Sequence, residues 1–342
     1  MPAVDIRPAL PGRVSGLTPG EPARKTLACL LLGERDVCPR ILTFKEDMPM
    51  MLRKLSAQLR TLATPALLAL LLGLSIAPAW AADKSAKRGI AYDISSPNDL
   101  SALSSGVSWW YNWSPKPHDR LASYDYASMY GVDFIPMVWN DNVDDGQLKL
   151  YLQAHPAIRY LLVINEPNLL DQANMTPEAA ARFWPRLEQI AAQTGVKLVG
   201  PAMNWGTMAG YGDPVVWLDA FYAAYRAMNQ NRDPQIDYLA FHWYDYGLDG
   251  MLDRLARYGK PVWVTEFANW HGLDDGLQID SLAKQKQQMA DMVATLEGRA
   301  DVFRYAWFTG RMTQDPHFSS LLSDEGRLTE LGQYYLSLPY SE

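Results

Sequence analysis

The sequence predicts a single (β/α)8 barrel of the TIM type across about residues 88–340. Three observations predict it. Apolar runs of strand length recur eight times, separated by segments with helical punctuation. The clearest of these runs lacks the apolar–polar alternation of a half-wet strand, so it reads as buried on both faces, as parallel strands are. Two of the runs stop at a glutamate, and in a parallel barrel chemistry collects where strands stop.

In chain order the expected strands are Gly89–Asp93, Val107–Trp113, Phe134–Trp139, Tyr160–Asn165, Lys197–Pro201, Tyr238–Trp243, Pro261–Glu266 and Phe303–Phe308. The fourth is the most telling. Tyr160-Leu161-Leu162-Val163-Ile164 is unbroken and apolar, and Pro167, which has no N–H for a ladder, ends it. Glu166 therefore sits on its carboxyl lip; a helix-capping glutamate is the competing reading of that stretch alone. Between strands, Thr176-Pro177-Glu178 supplies a capping hydroxyl, a first-turn proline and an early acid for a helix to about Gln193. Asp213-Pro214 does the same for Val215–Asn229, with Val216, Ala220, Ala223 and Ala227 as its apolar stripe. Gln278–Leu296 and Thr329–Leu338 are further helices, with shorter ones near 98–104, 121–130, 144–154 and 250–258.

The first 81 residues differ from the rest. Residues 51–81 pair a start bearing Arg53, Lys54 and Arg60 with an apolar run at Pro65–Ile76 and end in Ala79-Trp80-Ala81. That is the pattern of a signal peptide cut after Ala81, and the run is short for a membrane anchor. Residues 1–50 show no periodicity and receive no fold; translation is expected to begin at Met48, Met50 or Met51. Both cysteines, Cys29 and Cys38, precede the cut, so the mature chain is expected to have no thiol or disulfide. Of the 31 basic and 38 acidic residues, 10 and 6 lie before residue 82, leaving 21 against 32. So acidic a domain is a poor partner for nucleic acid or anionic lipid. The expectation is an exported monomer, secreted or periplasmic, without stable membrane contact.

The second strand-end carboxylate is Glu266. Simple alternation along Pro261-Val262-Trp263-Val264-Thr265-Glu266 puts Val262, Val264 and Glu266 on one face, taken as the lumen. Strands four and seven then oppose Glu166 to Glu266 across the mouth. Two facing carboxyl groups are the working parts of glycosidic bond hydrolysis, one as acid and one as nucleophile or base. They are expected to hold opposite protonation states and to give a bell-shaped pH dependence.

Nine of the eleven tryptophans after residue 81 lie on or just beyond expected strands. Parity assigns Trp109, Trp243 and Trp263 to strand–helix packing. Trp113, Trp139, Trp205, Trp270 and Trp307 are the candidates for the mouth, where flat rings stack on sugar C–H faces. Amides accompany them in Asn112-Trp113, Trp139-Asn140 and Asn204-Trp205, each a donor and acceptor for hydroxyls. His242 and Tyr244 share a face of strand six, with Trp243 turned away. No histidine spacing suggests a metal, and neither a phosphate loop nor a GxSxG elbow occurs, so no cofactor is expected.

These residues resemble clan A of the glycoside hydrolases. Ser108–Trp113 (SWWYNW), Val138–Asn140 (VWN), Ile164–Asn168 (INEPN), Gly200–Trp205 (GPAMNW), Phe241–Tyr246 (FHWYDY) and Thr265–Ala268 (TEFA), in that order, look like family 128 within the clan, the endo-β-1,3-glucanases. The resemblance implies a retaining mechanism on β-1,3-glucan, with Glu166 as acid/base and Glu266 as nucleophile. It also implies that Asn165 meets the sugar 2-hydroxyl. A clan A hydrolase of another polysaccharide, or a glucan- or wall-binding barrel without catalysis, are the alternatives.

Overall fold

The computed structural model describes residues 84–341. The expected extension, the signal segment and both cysteines lie outside the described residues. The elements are β1 (Arg88–Ala91), α1 (Pro97–Leu103), β2 (Trp109–Tyr111), α2 (Tyr126–Tyr130), β3 (Asp133–Phe134), β4 (Met137–Val138), α3 (Asp145–Ala154), β5 (Tyr160–Val163) and α4 (Pro177–Thr194). There follow β6 (Lys197–Met203), α5 (Pro214–Met228), β7 (Tyr238–Trp243), α6 (Leu248–Leu255), β8 (Val262–Phe267), α7 (Leu282–Gly298), β9 (Val302–Trp307) and α8 (Glu330–Ser337). Among the described residues no helix is long and apolar enough to cross a membrane.

All strand pairings are parallel, in the order β3-β2-β1-β9-β8-β7-β6-β5-β4. The two end members are pieces of one extended stretch interrupted around Pro136. Ile135 N–H donates to Trp110 O at 2.9 Å, and Leu162 N–H donates to Pro136 O at 3.0 Å. That stretch therefore reaches both of its neighbours, and the nine strands form eight staves of one ring. The third expected strand is real but broken where proline cannot donate.

Helix starts follow the side-chain chemistry read from the sequence. Thr176 accepts from Ala179 N–H and Asp213 from Val215 N–H, each just before a proline, where the missing N–H costs nothing. α7 begins later than expected, because the Ser281 hydroxyl, not Gln278, caps it. The ring is tied to the last helix by Arg88 of β1. Its guanidinium donates to Tyr335 O and Leu338 O, both at 2.9 Å, placing a cation on the carbonyl end of α8.

Two apolar layers result. The outer one packs Ile90, Leu161, Val163, Phe241, Val262 and Val264 against helix residues such as Leu187, Trp217 and Met289. The lumen holds Ala91, Trp109, Tyr111, Leu162, Val199, Ala202, Ala240, Trp263 and Ala306. This corrects the expected parity of β8 and β2. Val262 and Val264 face the helices, while Trp109 and Trp263 face inward. Trp109 fits because Gly89 beside it has no side chain; a Cβ there would lie 2.3 Å from the indole.

The reversal on β8 comes from a bulge. Phe241 pairs with Val264, but the next residue, His242, pairs with Glu266, so Thr265 is extra. One inserted residue resets alternation, and Glu266 reaches the lumen from a strand whose valines face out. A second bulge, at Gly200-Pro201, lies between the pairings of Val199 and Ala202 with β7. Gly200 has φ +143°, and a Cβ there would fall 2.3 Å from Val163 O, so only glycine allows this approach to β5.

The end of the barrel away from the strand tips is filled. Arg304 of β9 places its guanidinium 5.0 Å from the Trp263 ring and 5.2 Å from Tyr160, with Trp109 and Phe303 at 5.8 Å. Asp133 lies 3.8 Å away. Burial pulls the guanidinium's pKa down, and Asp133 opposes that pull. Removing this side chain deletes several cation–π contacts and leaves a hole among rings. Arg304→Ala is expected to cost about 2–4 kcal/mol of stability in denaturant unfolding. A loss under about 0.5 kcal/mol, the range of neutral surface changes, would show that the floor does not depend on it.

Candidate active site

Glu166 stands three residues past β5 on an unusual backbone. Ile164 and Glu166 both have positive φ, +57° and +46°. For a β-branched residue that region is strained, at about 1–3 kcal/mol per residue. Neighbouring strands hold it in place: Ile164 N–H donates to Val138 O and Glu166 N–H to Ala202 O, both at 2.8 Å, and Ala202 N–H returns a bond to Ile164 O at 2.9 Å. The carboxylate is thus fixed from both sides of β5. Its Oε1 accepts from Asn204 Nδ2 at 2.7 Å and lies 2.8 Å from His242 Nδ1.

Glu266 is met by three other donors. Tyr111 hydroxyl, at 2.9 Å, and Trp113 Nε1–H, at 2.8 Å, both reach Oε1. Tyr244 hydroxyl donates to Oε2, and His242 Nδ1 lies 3.3 Å from that oxygen. Burial first, then the charge of Glu266, pushes the hydroxyls of Tyr111 and Tyr244 well above the ordinary tyrosine value. Both therefore stay protonated and keep donating through any working pH. The carboxylates are only 3% and 5% exposed, so the donors rather than water solvate them.

Glu166, His242 and Glu266 each bring one oxygen or nitrogen within 4.8 Å of the others. By distance alone the trio could hold a divalent cation. Yet N–H and O–H groups from Asn204, Tyr111, Trp113 and Tyr244 already point at these oxygens and supply the hydrogen bonds that a bound cation would otherwise replace.

The other expected site residues divide. Asn165 lies between strand and glutamate; its Nδ2 donates to Gln172 at 3.3 Å, while its buried Oδ1 accepts no hydrogen bond among the described residues. Trp270 stacks on Tyr244 at 4.5 Å and donates to Ser319 Oγ at 2.7 Å. Trp139 is half-buried against the lumen cluster. Trp205, next to Asn204, is 49% exposed and rests over Arg254, itself paired with Asp213. Asn112 spends its amide on Asp93 Oδ1 and Lys116 O, both at 3.1 Å, and Asn140 Oδ1 accepts from Asn142 N–H at 3.0 Å. These two amides brace loops rather than meet Glu166 or Glu266.

Trp307 is a correction. It is fully buried in the helix layer against Phe267 and Tyr335 and donates to Ser319 O. The mouth aromatic of β9's end is the next residue, Phe308, edge-on to Trp270, Trp113 and Tyr244 at 5.4–5.8 Å. Sequence reasoning also missed Tyr111 and Asn168. Tyr111 is two residues before Trp113 and shares its face, so parity carried back from Trp113 would have found it. Asn168 donates to Asn204 O at 2.7 Å and Tyr211 O at 3.1 Å, pinning the segment that presents Asn204.

A closed parallel barrel with two buried, donor-solvated glutamates facing each other at the strand tips is the arrangement of a two-carboxylate glycoside hydrolase. Residues 89–335 match the glycosyl hydrolase catalytic core family, and the chain belongs to it. A crystal structure from Pseudomonas viridiflava, described as a family 128 subgroup II endo-β-1,3-glucanase, is 84% identical over 75% of this chain and all of that one, with a TM-score of 0.75. A subgroup I endo-β-1,3-glucanase from Amycolatopsis mediterranei, in complex with laminaritriose, is 27% identical, covers 74% of this chain and 99% of that one, and has a TM-score of 0.57. Alkali-sensitive linkage protein 1 of Schizosaccharomyces pombe is 27% identical over 271 residues, 74% of this chain; the match spans 45% of that relative's length.

Tyr244→Phe removes one of the three donors that meet Glu266 and is expected to lose about 10- to 100-fold in kcat/KM. An unchanged kcat/KM would mean that the hydroxyl does not support the reaction.

Proposed function

We propose that the chain is an endo-β-1,3-glucanase that cleaves laminarin- or curdlan-type glucan with retention at the anomeric carbon. The observation that carries the mechanism is the separation of the two glutamates. One oxygen of each lies within 4.8 Å of the other, beside the roughly 5–5.5 Å of retaining pairs and well short of the roughly 6.5–9.5 Å of inverting ones. So close an approach favours direct attack by a carboxylate over a water held between the pair.

The donor sets support a division of roles. Glu266, with three protein donors, suits the permanent anion and attacks the anomeric carbon. As that bond forms, the glycosidic C–O bond breaks and Glu166 gives its proton to the leaving oxygen. Glu166 then takes a proton from water as the water displaces Glu266 from the sugar. Proton and nucleophile both come from carboxyl groups, so the chemistry asks for no cofactor. Asn165 offers its Oδ1 to the sugar 2-hydroxyl, where a hydrogen bond strengthens as positive charge builds on the ring. Trp205, Trp139 and Trp270 offer aromatic faces along the rim. The laminaritriose complex of the Amycolatopsis relative supports the substrate class. The enzyme acts as a monomer outside the cytoplasm, after removal of residues 51–81. Amino-terminal sequencing of the exported product should find a start near residue 82, and a start well before about residue 75 would remove the cleaved-signal assignment.

Proton NMR of a laminari-oligosaccharide digest should show the β-anomer first; α-anomer first would overturn retention. Glu166→Gln should lose about 10²- to 10⁴-fold on glucan and far less on aryl β-glucosides whose leaving groups need no proton. Parallel digests of laminarin, curdlan, cellulose and a mannan check the linkage, and cleavage confined to β-1,4 polymers would defeat it.

A further inference from the structure

The loop after β8 makes a contact that the bond-breaking steps do not use. His271 Nδ1 lies 2.9 Å from Asp245 Oδ1, and its Nε2 lies 3.0 Å from Asp275 Oδ2. A neutral imidazole has one N–H, and ionised carboxylates only accept. Both bonds form together only when the ring is protonated. Asp245 belongs to the loop after β7, so the charged ring joins two loops of the mouth. The joint is extended by Tyr246, whose hydroxyl donates to Leu277 O at 2.8 Å and whose ring meets His271 edge-on at 5.3 Å.

The joint holds the residue before it. Trp270 N–H donates to Tyr244 O at 2.8 Å, its indole stacks on the Tyr244 ring, and the Tyr244 hydroxyl donates to Glu266. We infer that protonated His271 is a positioning residue that clamps Trp270 and Tyr244 for glucan binding, so that affinity for the substrate falls when this histidine loses its proton. The inference rests on the glucanase reading above.

The groups around the ring favour its charge. Asp245 and Tyr246 face it from the β7 loop, and Asp274 and Asp275 lie on its own loop. Asp280 and Lys284, at the start of α7, are paired with each other at 3.2 Å, and His317 contributes a ring from the loop after β9 near Gly272. Burial opposes the charge, but the bonds to Asp275 and Asp245 outweigh it and raise His271 above the ordinary histidine value. The clamp is complete below that raised value and loses one bond as pH climbs through it.

The test is an NMR titration of the histidine ring protons in the full chain, with His271→Gln assigning the resonance. KM and kcat on laminarihexaose are measured over the same range, about pH 5 to about pH 9. The resonance should titrate above free imidazole, and KM should rise roughly two- to fivefold across that titration while kcat does not follow it. Asp245→Asn and Asp275→Asn change side chains that are 59% and 43% exposed, so the fold should survive. Each should move the titration and the KM inflection together to lower pH. A KM that is flat across the His271 titration, an inflection that stays while the titration moves, or a ring titrating at or below the ordinary value would overturn the clamp. A chain that cleaves no laminarihexaose at any pH fails the glucanase reading instead.

Discussion

Two carboxylates within 4.8 Å of each other, both nearly sealed from water, are the constraint around which this barrel is built. Like charges at that distance resist joint ionisation, and a buried anion without donors is costly. The cost is offset by hydrogen-bond donors from several strand ends: Tyr111 and Trp113 on and past β2, Asn204 past β6, and His242 and Tyr244 on and past β7. Each has to arrive on the lumen side at the same height, and much of the local irregularity serves that need. The bulge at Gly200-Pro201 precedes Asn204, the bulge at Thr265 turns Glu266 inward, and the positive φ of Ile164 and Glu166 sets the angle of the opposite carboxyl group.

The same irregularities explain which parts were legible in the sequence. Eight staves, parallel order and the two strand-end carboxylates could be read, because a buried parallel strand is a run of apolar residues and its end is marked by proline or a polar cluster. His242 and Tyr244 were placed correctly on one face because β7 itself is regular and alternation holds there. Trp263, Val262 and Val264 were turned the wrong way because an extra residue in β8 breaks the period of two, and nothing in Val-Trp-Val-Thr-Glu marks a bulge. Trp109 could go inward only because Gly89 is its neighbour, a relation between two strands that no single-strand pattern contains. Trp307 was put in the mouth for a similar reason, since β9 pairs irregularly with β8. Tyr111 was within reach of simple parity and needed only consistent use of it.

The Asp245–His271–Asp275 contact belongs to a different level of organisation. It lies in loops, where sequence periodicity is silent, and its meaning comes from proton counting at two ring nitrogens rather than from packing. It connects the titration of an edge residue to the wall of the site through stacking of Trp270 on Tyr244.

The filled floor around Arg304 has a consequence for traffic. A barrel stoppered by four aromatic rings and a guanidinium is a cup and not a tube. Polymer, attacking water and both fragments must share one doorway. A long chain can only be gripped across the rim and released from it, so cutting requires no free end to be fed through. The residence time of the product fragments at the rim then competes directly with the arrival of the next chain.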